Sequence, residues 1–335
     1  MIWFWIGFFA LVAALLALDL GVLHRRNEEQ SFSSALKWTI VWVLIGLSFS
    51  GVVYLIYDNH WMGARLCDEH GNVLPGGDAV MTYVSAYLLE EALSVDNIFV
   101  MSLLFRSFRV PAKYQHRVLF WGILGAVVFR VALLGGGVFL AKRFTWIFYV
   151  FGGYLVYAGG KLFFGGEDDE DENVLEKSFA VRILRRFVRI VDGEHGGKFM
   201  ITERGRRALT TLAVCLIVIE LSDIVFALDS IPAVLAVSQE TFIVVTSNIF
   251  AILGLRSIYF VLAGAMAKFE YLKIALAVLL ILIGTKMILH DVVEISDAVS
   301  LVAIAGIISA GVIASIIASR KREAAASATD LPRAE

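Results

Sequence analysis

The sequence predicts an all-α fold: a polytopic membrane helix bundle with about nine transmembrane helices, in which three spans and the next three form an inverted repeat. Hydrophobic residues make up 59% of the 335 residues, charged residues only 18%, and the mean hydropathy is +0.78. A soluble domain contains about 25% charged residues. The apolar residues form runs of about 20, long enough to cross a bilayer core. The basic residues are concentrated in every second loop.

Nine apolar stretches are candidate spans. The first has no positively charged segment before it and no small-residue cleavage site after it, which favours a retained span over a signal peptide. The sixth contains Pro232, which predicts a break in this helix or its continuation along the membrane surface. The stretches are 2–23, 36–57, 80–105, 118–140, 144–164, 208–237, 242–264, 270–289 and 296–319.

The distribution of Lys and Arg predicts the orientation of the chain. The loops after the first, third, fifth and seventh spans and the C-terminal tail, counted with Lys37 and Lys273 at the ends of adjoining spans, hold 22 of the 29 basic residues. Cytoplasmic loops of membrane proteins carry this excess of positive charge. We therefore expect an N-terminus outside, a C-terminus in the cytoplasm and an odd number of spans.

Spans three to five resemble spans six to eight. In one register, residues 93–99 match 221–226 with one deletion; in another, Glu90 and Asp96 align with Asp223 and Asp229 without a gap. The sequence leaves both registers open. A repeat unit with an odd number of spans inserts its second copy upside down, as in secondary transporters that bind their substrate between the two halves.

The repeat and the loops divide the chain into six segments. The loop between the repeats begins with an acidic run and continues as a basic, amphipathic stretch that predicts a helix at the membrane surface. The segments are two N-terminal spans with an external loop (1–79), the first repeat (80–164), a cytoplasmic loop (165–207), the second repeat (208–289), the ninth span (290–319) and a disordered cytoplasmic tail (320–335).

Acidic residues inside the predicted spans are the candidate functional groups. An Asp at the centre of a membrane costs roughly 2.5–3.5 kcal/mol, so these side chains should face the bundle interior and find a cation, a proton or a donor. Unwound backbone near 96–97 and 229–232 would bring carboxylates six residues apart together. The candidate metal ligands are Glu90, Asp96, Asn97, Asp223, Asp229 and Asn248.

Four further charged residues are candidates for a permeation pathway or for charge pairing: Asp19, Glu220, Arg130 and Arg256. Each arginine is a candidate ion-pair partner for the buried acids, and Glu220 is a candidate partner for Arg256. Arg130 and Arg256 can equally be gating residues. Asp19 lies near the cytoplasmic end of its span, where it can be interfacial or line the pathway.

The candidate ligand set contains only oxygen atoms. Such ligands suit Mg²⁺, Ca²⁺ and Mn²⁺ rather than softer metals, and ligand type does not distinguish among these three ions. The cation would be a transported substrate, and no cofactor is expected. Repulsion between buried carboxylates favours their protonated forms, so metal/proton exchange is a further hypothesis. No enzyme activity is expected.

Three long motifs resemble signatures of the TerC family of integral membrane proteins. They are the segments from Glu90 to Val100, from Glu220 to Ala233 and from Thr246 to Arg256. Within the family, the chain resembles the Alx-type proteins. The resemblance implies a bacterial inner-membrane protein linked to Mn²⁺ export, with tellurite resistance in the name-giving branch. It also implies a metal site at Glu90, Asp96, Asp223 and Asp229.

Two other classes of function compete with transport. A membrane scaffold or stress-response component would not need the acidic side chains to converge. An intramembrane aspartyl protease would need a G-x-G-D motif in a span, and the chain has none. The expected partners are the lipid bilayer and a hard divalent cation. Nucleic acid is not an expected partner, because no basic face with interleaved aromatic residues occurs.

Overall fold

The computed structural model of the protein describes residues 2–23, 32–67, 73–144, 146–164, 190–191, 196–203, 206–263, 270–289 and 297–329. The side chains of Asp96 and Asp229 lie outside its described part, so the ligand predictions for these two residues stay predictions. The helix predicted at the membrane surface also lies almost wholly outside it.

Nine helices of more than ten residues occupy these ranges. The chain is an all-α polytopic membrane protein. Six are long and apolar enough to cross a membrane. The other three are not among these six: α3 carries three acidic residues within one apolar stretch, α5 has only 18 residues, and the apolar part of α8 is only Ile274–Ile288. The helices are α1 Ile2–Leu23, α2 Phe32–Asp58, α3 Gly76–Ser107, α4 Ala112–Arg143, α5 Ile147–Phe164, α6 Thr211–Leu235, α7 Thr241–Ala263, α8 Glu270–Ile288 and α9 Asp297–Thr329.

The two predicted interruptions of helices are wrong. Helix α3 continues through Asp96 and Asn97, and α6 continues through Pro232 to Leu235. A proline removes one hydrogen bond to the carbonyl group four residues earlier. Since Pro232 lies in the last turn of α6, that single loss is tolerated and the helix ends soon afterwards.

Several helices begin or end outside the predicted bounds, as α4 does by beginning at Ala112 rather than at 118. Helix α9 continues to Thr329, into the segment predicted to be disordered, because Ala, Lys, Arg and Glu favour helix. The sixth span begins at Thr211 rather than at 208, because residues 206–210 form a strand. The hydroxyl oxygen of Thr210 accepts a hydrogen bond from the amide of Ala213 and caps α6.

A small sheet precedes α6. Its strands are β1 Ile190–Val191, β2 Met200–Glu203 and β3 Arg206–Thr210, in the order β1-β3-β2. Strands β2 and β3 pair antiparallel, and β1 pairs parallel with β3. This sheet was not predicted from the sequence, because its strands are short and follow a charged segment.

The helices of the two predicted repeats pack symmetrically. If α3, α4 and α5 are exchanged with α6, α7 and α8, the same pairs of helices remain in contact. Helix α3 packs along α7, α4 packs along α6, and α5 packs along α8. At the α5–α8 crossing, Gly152 faces Gly284 and Gly159 faces Ala277. These two contacts also exchange when Gly159 is aligned with Gly284, the first residues of the Gly-x-Lys sequences at 159–161 and 284–286. The inverted orientation of the repeats stays a prediction.

We expect Gly152→Ala to destabilise the α5–α8 crossing. An added Cβ would lie 2.8 Å from the carbonyl oxygen of Gly284 and 2.8 Å from Cγ1 of Ile288. Because a helix backbone cannot yield as a side-chain tip can, we expect a cost of about 1–3 kcal/mol. The matched control is Gly153→Ala, where an added Cβ has no atom within 4 Å. Thermal unfolding in detergent should show a lower midpoint for Gly152→Ala alone; equal midpoints would contradict the packing.

Candidate ion-binding site between α3, α4 and α6

Arg130 of α4 lies at the centre of a buried charged cluster. Its exposed fraction is 1%, and it is among the largest fully buried side chains in the described part of the chain. Its Nη1 donates to Oε1 of Glu90. Its Nε and Nη2 donate to Oδ2 and Oδ1 of Asp223, at 3.3 and 3.0 Å. The planar guanidinium group thus grips one carboxylate with two nitrogens and reaches a second with the third.

Two amide side chains also contact these carboxylates. Nδ2 of Asn97 donates to Oδ1 of Asp223 at 3.2 Å, and Nδ2 of Asn248 donates to Oε2 of Glu90 at 2.7 Å. Among the described residues, Oδ1 of Asn248 has no hydrogen-bond partner, although the residue is fully buried. The bond to Glu90 fixes the amide orientation, because the reverse orientation would set two oxygens against each other.

Two serine hydroxyl groups also border the cluster. Oγ of Ser94 lies 3.5 Å from Oε1 of Glu90, and Oγ of Ser230 lies 3.5 Å from Nη1 of Arg130. Neither serine is among the site residues predicted from the sequence. Helical spacing offered a signal, because Ser94 is four residues after Glu90 and Ser230 is seven after Asp223, on the same helix faces.

A small cavity of about 30 Å³ adjoins the cluster. A space of this size holds about one water molecule or one small ion. Its wall combines polar groups with apolar side chains, so a guest would be partly desolvated. The lining residues are Glu90, Leu93, Asn97, Arg130, Phe226, Ser230 and Leu280.

A second ion pair connects α1 to α7. Nη1 of Arg256 donates to Oδ2 of Asp19 at 2.7 Å, and Nη2 lies 3.4 Å from Nδ1 of His116. The side chain of Asp19 is only 9% exposed. Asp19 therefore belongs to a largely buried ion pair, and its role at the membrane surface or along a pathway stays a prediction. Aromatic contacts of Phe8 with Phe49 and Phe250 hold the other half of α1 against the bundle.

The predicted pairing of Glu220 with Arg256 is wrong. Arg256 pairs with Asp19 instead, and Oε2 of Glu220 has no hydrogen-bond partner among the described residues. The carboxylate of Glu220 packs against Gly125 of α4, where an added Cβ would lie 2.2 Å from Oε1. The reason is geometric: Glu220 lies on the α6 face that packs along α4, whereas Asp19 reaches Arg256 from α1.

Four of the six predicted metal ligands meet in one cluster: Glu90, Asn97, Asp223 and Asn248. The two carboxylates are the pair that the ungapped repeat register aligns. No group of three or more His, Cys, Asp or Glu side chains suited to a metal occurs among the described residues. Arg130 occupies the position between the carboxylates, so the cluster carries its own cation.

These features define a polytopic α-helical membrane protein with a charged cluster buried between its central helices. Residues 76–323 match the family described as "Integral membrane protein TerC family". The chain belongs to this family.

Several relatives match nearly the whole chain. "Uncharacterized membrane protein STKORF319" of Myxococcus xanthus is 44% identical over 331 residues, covering 98% of this chain and 96% of the relative. "Putative membrane-bound redox modulator Alx" of Photorhabdus laumondii is 41% identical over 313 residues, covering 93% and 94%. The protein of the same name from Escherichia coli is 40% identical over 305 residues, covering 91% of each chain. No solved structure matches the chain.

Proposed function

We propose that the protein transports a hard divalent cation, most specifically Mn²⁺, across a bacterial inner membrane and out of the cytoplasm. The observation that supports this proposal is the convergence of Glu90 and Asp223 from different helices. Both are buried, at 0% and 4% exposure, and both contact one guanidinium group beside a cavity. Asp96 and Asp229 are proposed to complete the site.

The composition of the cluster suits a cation. Two carboxylates and one guanidinium leave a net charge of −1 on these three residues, and a purely structural ion pair would leave none. Burial of charges in a membrane interior is costly, so an excess carboxylate there indicates a functional demand. Carboxylate and amide oxygens, including the unpartnered Oδ1 of Asn248, are ligands that hard cations prefer.

The proposed mechanism is alternating access. The cation enters the carboxylate cluster from the cytoplasm, the two repeats move against each other, and the cation leaves on the other side. The empty carrier must then return with its carboxylates neutralised. Protons or a cation belonging to the protein can supply this countercharge. The positive-inside pattern supports an external N-terminus and a cytoplasmic C-terminus.

The scaffold alternative draws less support from the structure. A scaffold has no need for Glu90 and Asp223 to converge, whereas these two side chains contact the same guanidinium group. The relatives' name suggests redox modulation as another function. Both cysteines of this chain are free thiols: Cys67 is exposed between α2 and α3, and Cys215 is fully buried in α6. Dithiol chemistry within one chain needs two neighbouring thiols, so this arrangement gives the redox alternative no support. No enzymatic role is proposed.

Cellular manganese is the readout that tests the proposal. We expect cells grown in excess Mn²⁺ to contain less manganese when they express the wild type, and Glu90→Gln to abolish this difference. The matched control is Glu91→Gln, the same change at the neighbouring residue, whose Oε1 accepts a hydrogen bond from Tyr87 outside the cluster, at 2.7 Å. At equal membrane abundance, unchanged manganese with the wild type would contradict the proposal.

A further inference from the structure

We infer that Arg130 is a resident substitute for the transported cation: it fills the carboxylate cluster of the empty transporter, and the divalent cation displaces it. This inference rests on the proposed transport function and identifies the countercharge of the return step.

The hydrogen bonds show that Arg130 and a divalent cation compete for the same atoms. Oε1 of Glu90 and both carboxylate oxygens of Asp223 accept hydrogen bonds from Arg130. Nδ2 of Asn248 donates to Oε2 of Glu90. Each of the four oxygens therefore already has a donor. A divalent cation needs several of these oxygens as ligands, and a guanidinium charge at hydrogen-bond distance from the same oxygens repels it, so the cation binds when the guanidinium group withdraws.

The surroundings offer the displaced guanidinium group another hydrogen-bond partner. The adjoining cavity is lined by Arg130 and by Ser230, whose hydroxyl oxygen already lies 3.5 Å from Nη1. The arginine side chain has a long, flexible stem, so its head can shift by a few ångströms while Cα stays in α4. Oδ1 of Asn248 is a free acceptor on the other side of Glu90, suited to the arriving cation.

The charge balance explains why such a substitute is useful. Without Arg130, an empty carrier would move with two unpaired carboxylates inside the bilayer, which is strongly unfavourable. With Arg130 between them, the two carboxylates share a counterion, which lowers the cost of returning the empty form. Arg130 thereby permits net transport without a proton bound at Glu90 or Asp223.

The test compares two fluxes from proteoliposomes loaded with Mn²⁺, using the wild type and Arg130→Gln. Efflux into Mn²⁺-free buffer requires the return of the empty carrier, whereas exchange against external Mn²⁺ does not. We expect Arg130→Gln to keep exchange and to lose net efflux. We also expect Mn²⁺ to bind the variant at least about tenfold more tightly, because a competing charge-assisted contact is gone.

The opposite results overturn the inference. If folded Arg130→Gln binds Mn²⁺ more weakly and loses both fluxes, Arg130 orders the ligands rather than replacing the cation. If the variant keeps both fluxes, the countercharge comes from elsewhere. A wild type that shows neither flux would instead refute the transport function itself, so the two failures are distinguishable.

A second variant keeps the test decisive if Arg130→Gln does not fold. Arg130→Lys retains the positive charge without the planar fork, and we expect it to keep net efflux at a reduced rate. Loss of net efflux in Arg130→Lys with exchange intact would overturn the inference. Added Mn²⁺ should also raise the unfolding temperature of Arg130→Gln more than that of the wild type, since the ion replaces the missing charge; an equal or smaller rise would count against it.

Discussion

Replacement of Asp223 by Asn is expected to reduce Mn²⁺ flux through the purified protein at least about tenfold. The change preserves the shape of the side chain but removes its charge and one of the two oxygens that Arg130 contacts. A hydrogen bond to a charged group contributes about 1.5–3 kcal/mol, and 1.4 kcal/mol corresponds to a tenfold change in affinity. The site would also have one carboxylate fewer to offset the repulsion between the divalent cation and Arg130.

The control for this variant is the same substitution at a carboxylate outside the cluster. Asp58 at the end of α2 accepts a hydrogen bond from the amide of Gly76 at 3.4 Å. We expect Asp58→Asn to retain most of the flux. Proteoliposomes with equal protein content would contradict the account if Asp223→Asn transported Mn²⁺ as fast as the wild type, or if both variants lost the same activity.

The largest expected effect on stability is that of Arg130→Gln measured without divalent cations. The change leaves Glu90 and Asp223 buried without their shared counterion. Removing one partner of a buried ion pair costs about 3–5 kcal/mol. We expect a much lower unfolding temperature in detergent and a lower abundance in the membrane.

Neutralising the two acids should reverse much of this loss. In the triple variant Arg130→Gln, Glu90→Gln and Asp223→Asn, no unpaired charge remains at these three positions, and amide groups can bond with one another. We expect its unfolding temperature to lie well above that of Arg130→Gln. A triple variant as unstable as the single one would show that packing of the arginine stem, rather than charge, accounts for the loss.

Sequence reasoning worked best where the signal lies within one helix. The nine apolar runs predicted nine helices, because hydropathy and length are local properties of the chain. Glu90 and Asn97 are seven residues apart, a spacing that predicts one shared face of α3, and both contact the cluster. The carboxylates of Glu90 and Asp223 were selected because a buried charge in an apolar run needs a partner.

The contacts between helices could not be predicted in the same way. Spacing along one helix does not show which other helix lies opposite, so Arg130 could not be identified as the bridge between α3 and α6. The same limit led to the incorrect pairing of Glu220 with Arg256. Unwound backbone was predicted because two acids of one helix, six residues apart, could not otherwise meet. In the structure, Glu90 and Asp223 come together from different helices, and both helices stay regular.

The most direct test of the central claim is Mn²⁺ flux in liposomes that contain only the purified wild-type protein. The account predicts Mn²⁺ movement that depends on the protein and is reduced by Asp223→Asn but not by Asp58→Asn. Protein that is folded and inserted, yet leaves the Mn²⁺ permeability of the liposomes at the level of empty vesicles, would contradict it.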